Sequence, residues 1–422
     1  MNSDSLSINS PEFLNKSAKP GWLDGHARRI LLSKLKKLRY GEVTIVEKDR
    51  RQTFGRANTS FPLAATVTVK SPRFYGDVAF GGIVGAGEAY IQDYWECSDL
   101  VALDRILLRN RSVLETMDGG AAAVAKPLRK AFHWLNRNTR SGSRRNIAAH
   151  YDLGNEFYAL WLDPTMMYSC AWYADDKTTL EEAAVAKLDR ICRRLDLGPG
   201  DRVVEIGTGW GGFAVHAAKH YGCHVTTTTI SSEQHAYARE RISQQGLEDR
   251  ITLLKSDYRD LEGKFDKLVS IEMIEAVGHE YLDTYFEKCS SLLKPDGELL
   301  IQAITIADQR YESAKRNVDF IKRYVFPGGF LPSVTTMVSS LTRKTDLRAV
   351  HIDDIGLHYA RTLRDWRLRF FEHIEEVRKQ GFSGEFIRLW EFYLTYCESA
   401  FLERAIGDVH LHAIKPDARP AI

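Results

Sequence analysis

A chain of 422 residues is long enough for two or three domains with cores of their own. Its 58 Lys and Arg face 56 Asp and Glu, a formal net charge of +2, which leaves no electrostatic footprint for a nucleic-acid partner. No apolar run reaches the roughly 18–20 residues that a bilayer span needs, and Cys97, Cys170, Cys192, Cys223, Cys289 and Cys397 show no paired spacing for a zinc site or disulfide framework.

In chain order, residues 1–24 open with the polar stretch MNSDSLSINSPEF, which is no signal peptide and reads as a flexible lead-in. Residues 25–120 read as a small α+β domain. HARRILLSKLKKL is a helix that stacks Leu31, Leu35 and Leu38 on one face, with Arg29, Lys34, Lys36, Lys37 and Arg39 around the rest. EVTIVEKD and ATVTVK are strands, and a glycine-rich segment, GDVAFGGIVGAGEAYIQDYWECSDL, follows. The basic helix face is either solvated or a contact for anionic lipid, which attracts Lys and Arg at roughly 1 kcal/mol each. Residues 121–145 form a basic linker ending in a Ser/Gly/Arg turn, and a domain of residues 146–422 begins after it.

Within that domain, DRVVEIGTGWGG is the most informative stretch. Val203, Val204 and Ile206 make a short buried strand that ends beside Glu205 and breaks into a turn, Gly207-x-Gly209-x-Gly211, opening a helix. The third glycine comes too early for a pyridine-nucleotide fingerprint. HVTTTTI is the second strand, followed by a helix that Ser starts and Gly246 stops. ITLLKSD, FDKLVSIEMI and GELLIQAIT are the third to fifth strands, with the helix YLDTYFEKCSSLL between the last two. This alternation predicts a doubly wound parallel sheet of the α/β class, with its ligand crevice at the carboxyl ends of the strands. Asp257, Glu272 and Glu275 fall at such ends, and Gln302 and Ile304 lie in the fifth strand. No carboxylate ends strand two, where a ribose would be gripped.

HYDLGNEFY, WLDPTMMYSCAWY, EIGTGWGG, TISSEQ, SIEMIEAVGHEYL, FPGGFLPS and HYARTLRDW occur in this order and spacing. Together they resemble the cyclopropane-fatty-acyl-phospholipid synthases and the related mycolic acid cyclopropane synthases, from about Asn146 to the C-terminus. GEAYIQDYWECSDL further resembles the N-terminal domain of the phospholipid-acting branch. The resemblance implies a class I methyltransferase (Rossmann-like) fold with helical insertions over an acyl-chain site, and S-adenosylmethionine as cofactor. It further implies a homodimer, reversibly attached to membrane phospholipid at the cytoplasmic face, with the N-terminal domain serving dimerisation and docking.

The reaction implied is attack by a cis double bond on the cofactor's methyl group. A carbocation follows, so the site must be dry and must hold a base. In the family that base is a bound bicarbonate. The matching ligands are Cys170, Glu275, the Ile304 amide and Tyr359, with Gln302 where many members carry His; Gln donates a hydrogen bond but cannot carry a proton. Beside an anion, Glu275 must be protonated or share a proton. The cofactor positions that carry over are Tyr168, Glu205, Gly207, Gly209, Thr229, Gln234 and Tyr258. Asp257 either meets the adenine amino group or is a solvated strand-end acid, and Trp210 either covers the cofactor or wedges a helix against the sheet. Cys397 matches a cysteine once proposed as catalytic in the family. Its apolar neighbours Phe392, Leu394 and Phe401 favour a core residue. Two other readings share parts of this pattern: a methylene- or methyl-branching enzyme on lipid or a soluble acceptor, and a non-catalytic membrane-binding scaffold.

Overall fold

The computed structural model describes residues 22–111 and 153–419. Most of the expected lead-in, the basic linker 121–145, and His150 to Asp152 of the first motif lie outside these residues. The chain divides into two compact units, and the division follows contacts rather than chain order.

The first unit holds residues 22–111 together with Val318–Val325 and Gly381–Glu403. Its helix Trp22–Leu35 starts inside the expected lead-in. That helix buries Leu31 and Leu35, followed by Leu38, while Lys36, Lys37 and Arg39 are exposed. A four-stranded sheet runs in the order β2-β1-β3-β4, from Gly41–Glu47 (β1), Arg50–Arg56 (β2), Ala64–Val69 (β3) and Trp95–Cys97 (β4). The glycine-rich segment is the helix Arg73–Ile91, interrupted at Gly82, whose φ of 59° leaves the helical region. A Cβ on Gly87 would stand 2.5 Å from the Phe320 ring, so only glycine allows that approach. The helix Gly384–Leu402 belongs to this unit. Glu391 accepts from Tyr90 at 2.7 Å, and after the helix Glu403 accepts from Arg105 at 2.7 Å and Arg109 at 2.5 Å. The stretch 146–422 therefore lends residues 318–325 and 381–403 to the N-terminal unit, where Phe392 packs on Tyr90 with ring centroids 5.8 Å apart.

The second unit is built on a seven-stranded sheet. Its strands are Arg202–Ile206 (β5), His224–Thr228 (β6), Ile251–Leu254 (β7), Phe265–Ile271 (β8), Leu293–Ile306 (β9), Arg348–Asp354 (β10) and Ile406–Ile414 (β11), in the order β10-β11-β9-β8-β5-β6-β7. β5 to β9 are the five expected parallel strands, and the class I methyltransferase fold is present. The chain runs outward through β5, β6 and β7 and returns to β8 on the other side of β5, which puts the switch point between β5 and β8. Sequence reading missed β10 and β11, which extend the sheet antiparallel beyond β9. The β5 strand buries Val203, Val204 and Ile206 between two apolar clusters, one on each face of the sheet. Local signals fix the flanking helices: Thr179 and Glu182 form a capping box on Leu180–Arg194, and Ser231 caps Ser232–Gln244.

Candidate active site

The turn after β5 has three glycines at positive φ: Gly207 at 101°, Gly209 at 52° and Gly211 at 85°. A Cβ on Gly207 would come within 3.2 Å of Met273, and one on Gly211 within 3.3 Å of Ala238. A Cβ on Gly209 would meet no protein atom within 4 Å, so the backbone there borders open space at the switch point. Glu205 is buried, accepts from Thr227 Oγ1 at 2.6 Å, and is pushed up to about 8 by burial; it ties β5 to β6. Thr229 and Gln234 are joined to each other, Oγ1 to Oε1, at 3.0 Å.

Asp257 is not a solvated acid. Both its oxygens take Arg259, from Nε at 2.8 Å and Nη2 at 2.6 Å. Tyr258 stands edge-on to Tyr285, their ring centroids 5.6 Å apart. The Trp210 ring lies 5.0 Å from that of Tyr158, and its Nε1 donates to Asn155 at 2.6 Å. Tyr168 sits among Tyr158, Trp161 and Trp366 at centroid distances of 5.5, 5.4 and 5.3 Å, with Phe326 at 6.3 Å. Trp161, Tyr158 and Trp366 are almost wholly buried, so this wall is apolar and dry.

The carboxyl ends of β8 and β9 carry an unusual concentration of acids. Glu272 follows β8 with φ 47°, a left-handed conformation that costs a side-chain-bearing residue of order 1–2 kcal/mol. Its Oε1 accepts from the Cys170 amide at 2.8 Å and from Gln302 Nε2 at 2.7 Å, and its Oε2 from the Tyr359 hydroxyl at 2.6 Å. Gln302 Nε2 also reaches Asp408 Oδ2 at 2.9 Å, and the Gln302 Oε1 lies 3.1 Å from His410 Nε2. Burial drives the His410 pKa down to about 3, so the ring is neutral and its N–H fixes which way the Gln302 amide points. Glu275 Oε1 accepts from the Ile304 amide at 2.5 Å, while its Oε2 is buried with no hydrogen-bond partner. Burial, and then the charge of Glu272, lift Glu275 to about 8. Burial also pushes Asp408 and the Cys170 thiol well up, and the Lys187 amine down.

Residues 138–411 match the mycolic acid cyclopropane synthetase family. The chain belongs to that family. It is 38% identical to the cyclopropane-fatty-acyl-phospholipid synthase of Escherichia coli K12 over 349 residues, 81% of this chain and 86% of that one. It is 36% identical to the tuberculostearic acid methyltransferase UfaA1 of Mycobacterium tuberculosis over 338 residues, 76% of each chain. The solved cyclopropane synthase MmaA2 from Mycobacterium tuberculosis superposes with a TM-score of 0.60 at 30% identity, covering 64% of this chain and 98% of the other. Mycolic acid cyclopropane synthase CmaA1, solved with SAH and CTAB, gives 0.60 at 28% identity over 64% and 98%. As a member of the family, the chain is an S-adenosylmethionine-dependent methyltransferase.

The glycine turn fits that cofactor: Gly209 leaves open backbone where its amino-acid part would lie, and Thr229 and Gln234 stand at the end of β6. The residues do not fit a separate bicarbonate. Of the residues the family resemblance assigned to it, Cys170 through its amide, Gln302 and Tyr359 all serve Glu272, and the Ile304 amide serves Glu275. The structure brings Cys170, Glu275, Gln302, Ile304 and Tyr359 into one neighbourhood at the ends of β8 and β9, with Glu272 among them. Cys397 belongs to the other unit, where burial and the charges of Asp319 and Asp104 hold its thiol protonated.

Three members of the cluster escaped sequence reading. Asp408 and His410 come from β11. Lys187 is fully buried and donates to Ser169 at 2.7 Å. It occupies an apolar-stripe position between Ala183, Ala184, Leu188 and Ile191, and a lysine on such a stripe was the available signal.

Proposed function

We propose that this enzyme transfers the methyl group of S-adenosylmethionine to the cis double bond of unsaturated acyl chains in membrane phospholipid, and that loss of a proton from the transferred carbon closes a cyclopropane ring. The observation that carries the reading is the pairing of a dry aromatic wall with a carboxylate cluster beside the glycine turn. An alkene is a weak nucleophile, and the cation left after methyl transfer is trapped by any water in reach. Trp161 and Trp366, buried against Tyr168, exclude water, and the partly exposed Tyr168 ring offers a π-face to a cation. When bound, the cofactor supplies the electrophilic methyl group; the chain's own residues exclude water and accept the proton.

One similarity favours a second reading. The tuberculostearic acid methyltransferase is a relative over most of the chain, and the same cation that closes a ring can lose a different proton to leave a branched chain. The reading extends to a homodimer docking reversibly on the cytoplasmic face of the membrane. Among the described residues no helix is long and apolar enough to cross a bilayer, and Lys36, Lys37 and Arg39 are exposed for a lipid contact. The test is mass spectrometry of monounsaturated phospholipid vesicles incubated with the protein and methyl-labelled S-adenosylmethionine. A labelled methylene gained with loss of the double bond supports ring closure; the same gain with unsaturation retained supports branching. No gain under conditions where the cofactor binds would overturn the lipid reading.

A further inference from the structure

The donors that would hold a bound anion are already satisfied, and by a side chain of the enzyme itself. We propose that the Glu272 carboxylate occupies the anion site of this enzyme and serves as its built-in base, so that turnover needs no bound bicarbonate. The inference rests on the methyl-transfer reading above.

Three observations converge on it. The Cys170 amide and the Gln302 amide nitrogen can only donate, and both point at Glu272 Oε1, while the Tyr359 hydroxyl lies on Oε2. Three donors from well-separated chain positions, Cys170, Gln302 and Tyr359, meet on one carboxylate, the arrangement that favours its ionised form against the cost of burial. The backbone at Glu272 is left-handed, which an L side chain rarely adopts and which surrounding structure must hold in place. Finally, the neighbouring acids are arranged to leave the charge on Glu272. Glu275 and Asp408 are held neutral by burial, each with one unpartnered oxygen, and neutral His410 orients Gln302 toward both Glu272 and Asp408. Burial pushes the Glu272 carboxyl up, and the hydrogen bonds from Tyr359, the Cys170 amide and Gln302, with the field of the buried Lys187 amine, work against that rise in favour of the ionised form.

In the proposed step, a C–H bond of the transferred carbon breaks as its electron pair forms the second C–C bond to the cationic carbon. The proton passes to a Glu272 oxygen and returns to solvent before the next turnover. A carboxylate carried by the protein does this without an exchangeable anion and cannot diffuse away.

The test compares wild type, Glu272→Gln and Glu272→Gly in buffer stripped of carbon dioxide, with and without added bicarbonate, following product by mass spectrometry. Binding of 13C-bicarbonate to the cofactor-loaded proteins is measured separately by NMR. Glycine suits the left-handed backbone, so Glu272→Gly is expected to fold, as thermal melting will show. Wild type is expected to turn over equally in both buffers and to bind no labelled bicarbonate. Glu272→Gln keeps the shape but not the basicity, and is expected to lose at least about 100-fold in turnover without rescue. Glu272→Gly is expected to lose as much in stripped buffer, to bind labelled bicarbonate, and to recover with it. A wild type that depends on bicarbonate, or that binds it in the cluster, overturns the inference, as does a Glu272→Gln enzyme with undiminished turnover. A folded Glu272→Gly protein that neither binds nor responds to bicarbonate also overturns it. If wild type makes no lipid product in either buffer, the functional reading fails, while the binding measurement still judges the site.

Discussion

Glu275→Gln should make the protein more stable, and increasingly so as pH rises. The Glu275 carboxyl is lifted from its ordinary value of 4.5 to about 8, first by burial and then by the charge of Glu272. The folded state therefore holds a proton that the unfolded chain releases near 4.5. The stability associated with that proton is complete below 4.5 and is lost as pH rises towards 8. At ~1.4 kcal/mol for each pH unit, the full gap amounts to ~5 kcal/mol. The residue as a whole is only half-buried and sits beside other titrating acids, which lowers the expected effect to about 2–5 kcal/mol. Glutamine resembles the protonated acid: its oxygen can still accept from the Ile304 amide, and its NH2 takes the place of the carboxyl O–H at the oxygen that has no partner. Urea unfolding of wild type and Glu275→Gln at pH 5 and pH 8 measures the difference directly. It should be under about 1 kcal/mol at pH 5 and reach about 2–5 kcal/mol at pH 8 in favour of the variant. Glu205, also lifted to about 8, titrates in both proteins and cancels in the comparison. A difference that is flat with pH, or a variant less stable at pH 8, would refute the assignment of a neutral Glu275.

Gly209→Ala should cost the fold only the ~1–2 kcal/mol of a left-handed alanine, since its Cβ meets no protein atom, yet weaken S-adenosylmethionine by at least about tenfold in calorimetry. Gly211→Ala is the control: its Cβ would press on Ala238 at 3.3 Å, so a fall in melting temperature should exceed any change in cofactor affinity. Cys397→Ser should leave turnover within about twofold of wild type, because burial holds that thiol protonated; a loss of about 100-fold would restore it as a candidate catalytic group. Replacing exposed Lys36 and Lys37 with Gln should weaken sedimentation with anionic vesicles while leaving cofactor affinity unchanged, and unchanged sedimentation removes that helix from the docking surface.

Much of the methyltransferase unit could be read directly from the chain. The β5 strand and its glycine turn are local features, and so are the five parallel strands, whose ends placed Glu272, Glu275, Gln302 and Ile304 together. What the chain concealed depends on long-range meetings. Asp408 and His410 enter the cluster only because β11 pairs antiparallel with β9, in a register that sets His410 beside Gln302. The helix Gly384–Leu402 shows an aromatic stripe in sequence, but its partners, among them Tyr90 on Glu391 and Arg105 on Glu403 just past its end, lie roughly 300 residues earlier, beyond any local pattern. Asp257 could be read as a solvated strand-end acid until its pairing with Arg259 was seen.

Glu272 shows the same limit most sharply. By itself it is one more acid at a strand end; its meaning comes from a backbone angle and three donors. The left-handed backbone costs of order 1–2 kcal/mol, and burying the carboxylate costs more. Hydrogen bonds to a charged group contribute about 1.5–3 kcal/mol each, so three of them outweigh the backbone strain and offset part of the burial. The balance holds only while all three donors stay aimed at one place. Removing the carboxylate would leave the Cys170 amide, the Gln302 nitrogen and the Tyr359 hydroxyl converging on a gap, with water or a small anion as the available partners. A site that holds its own base so firmly has no donors left with which to recruit another.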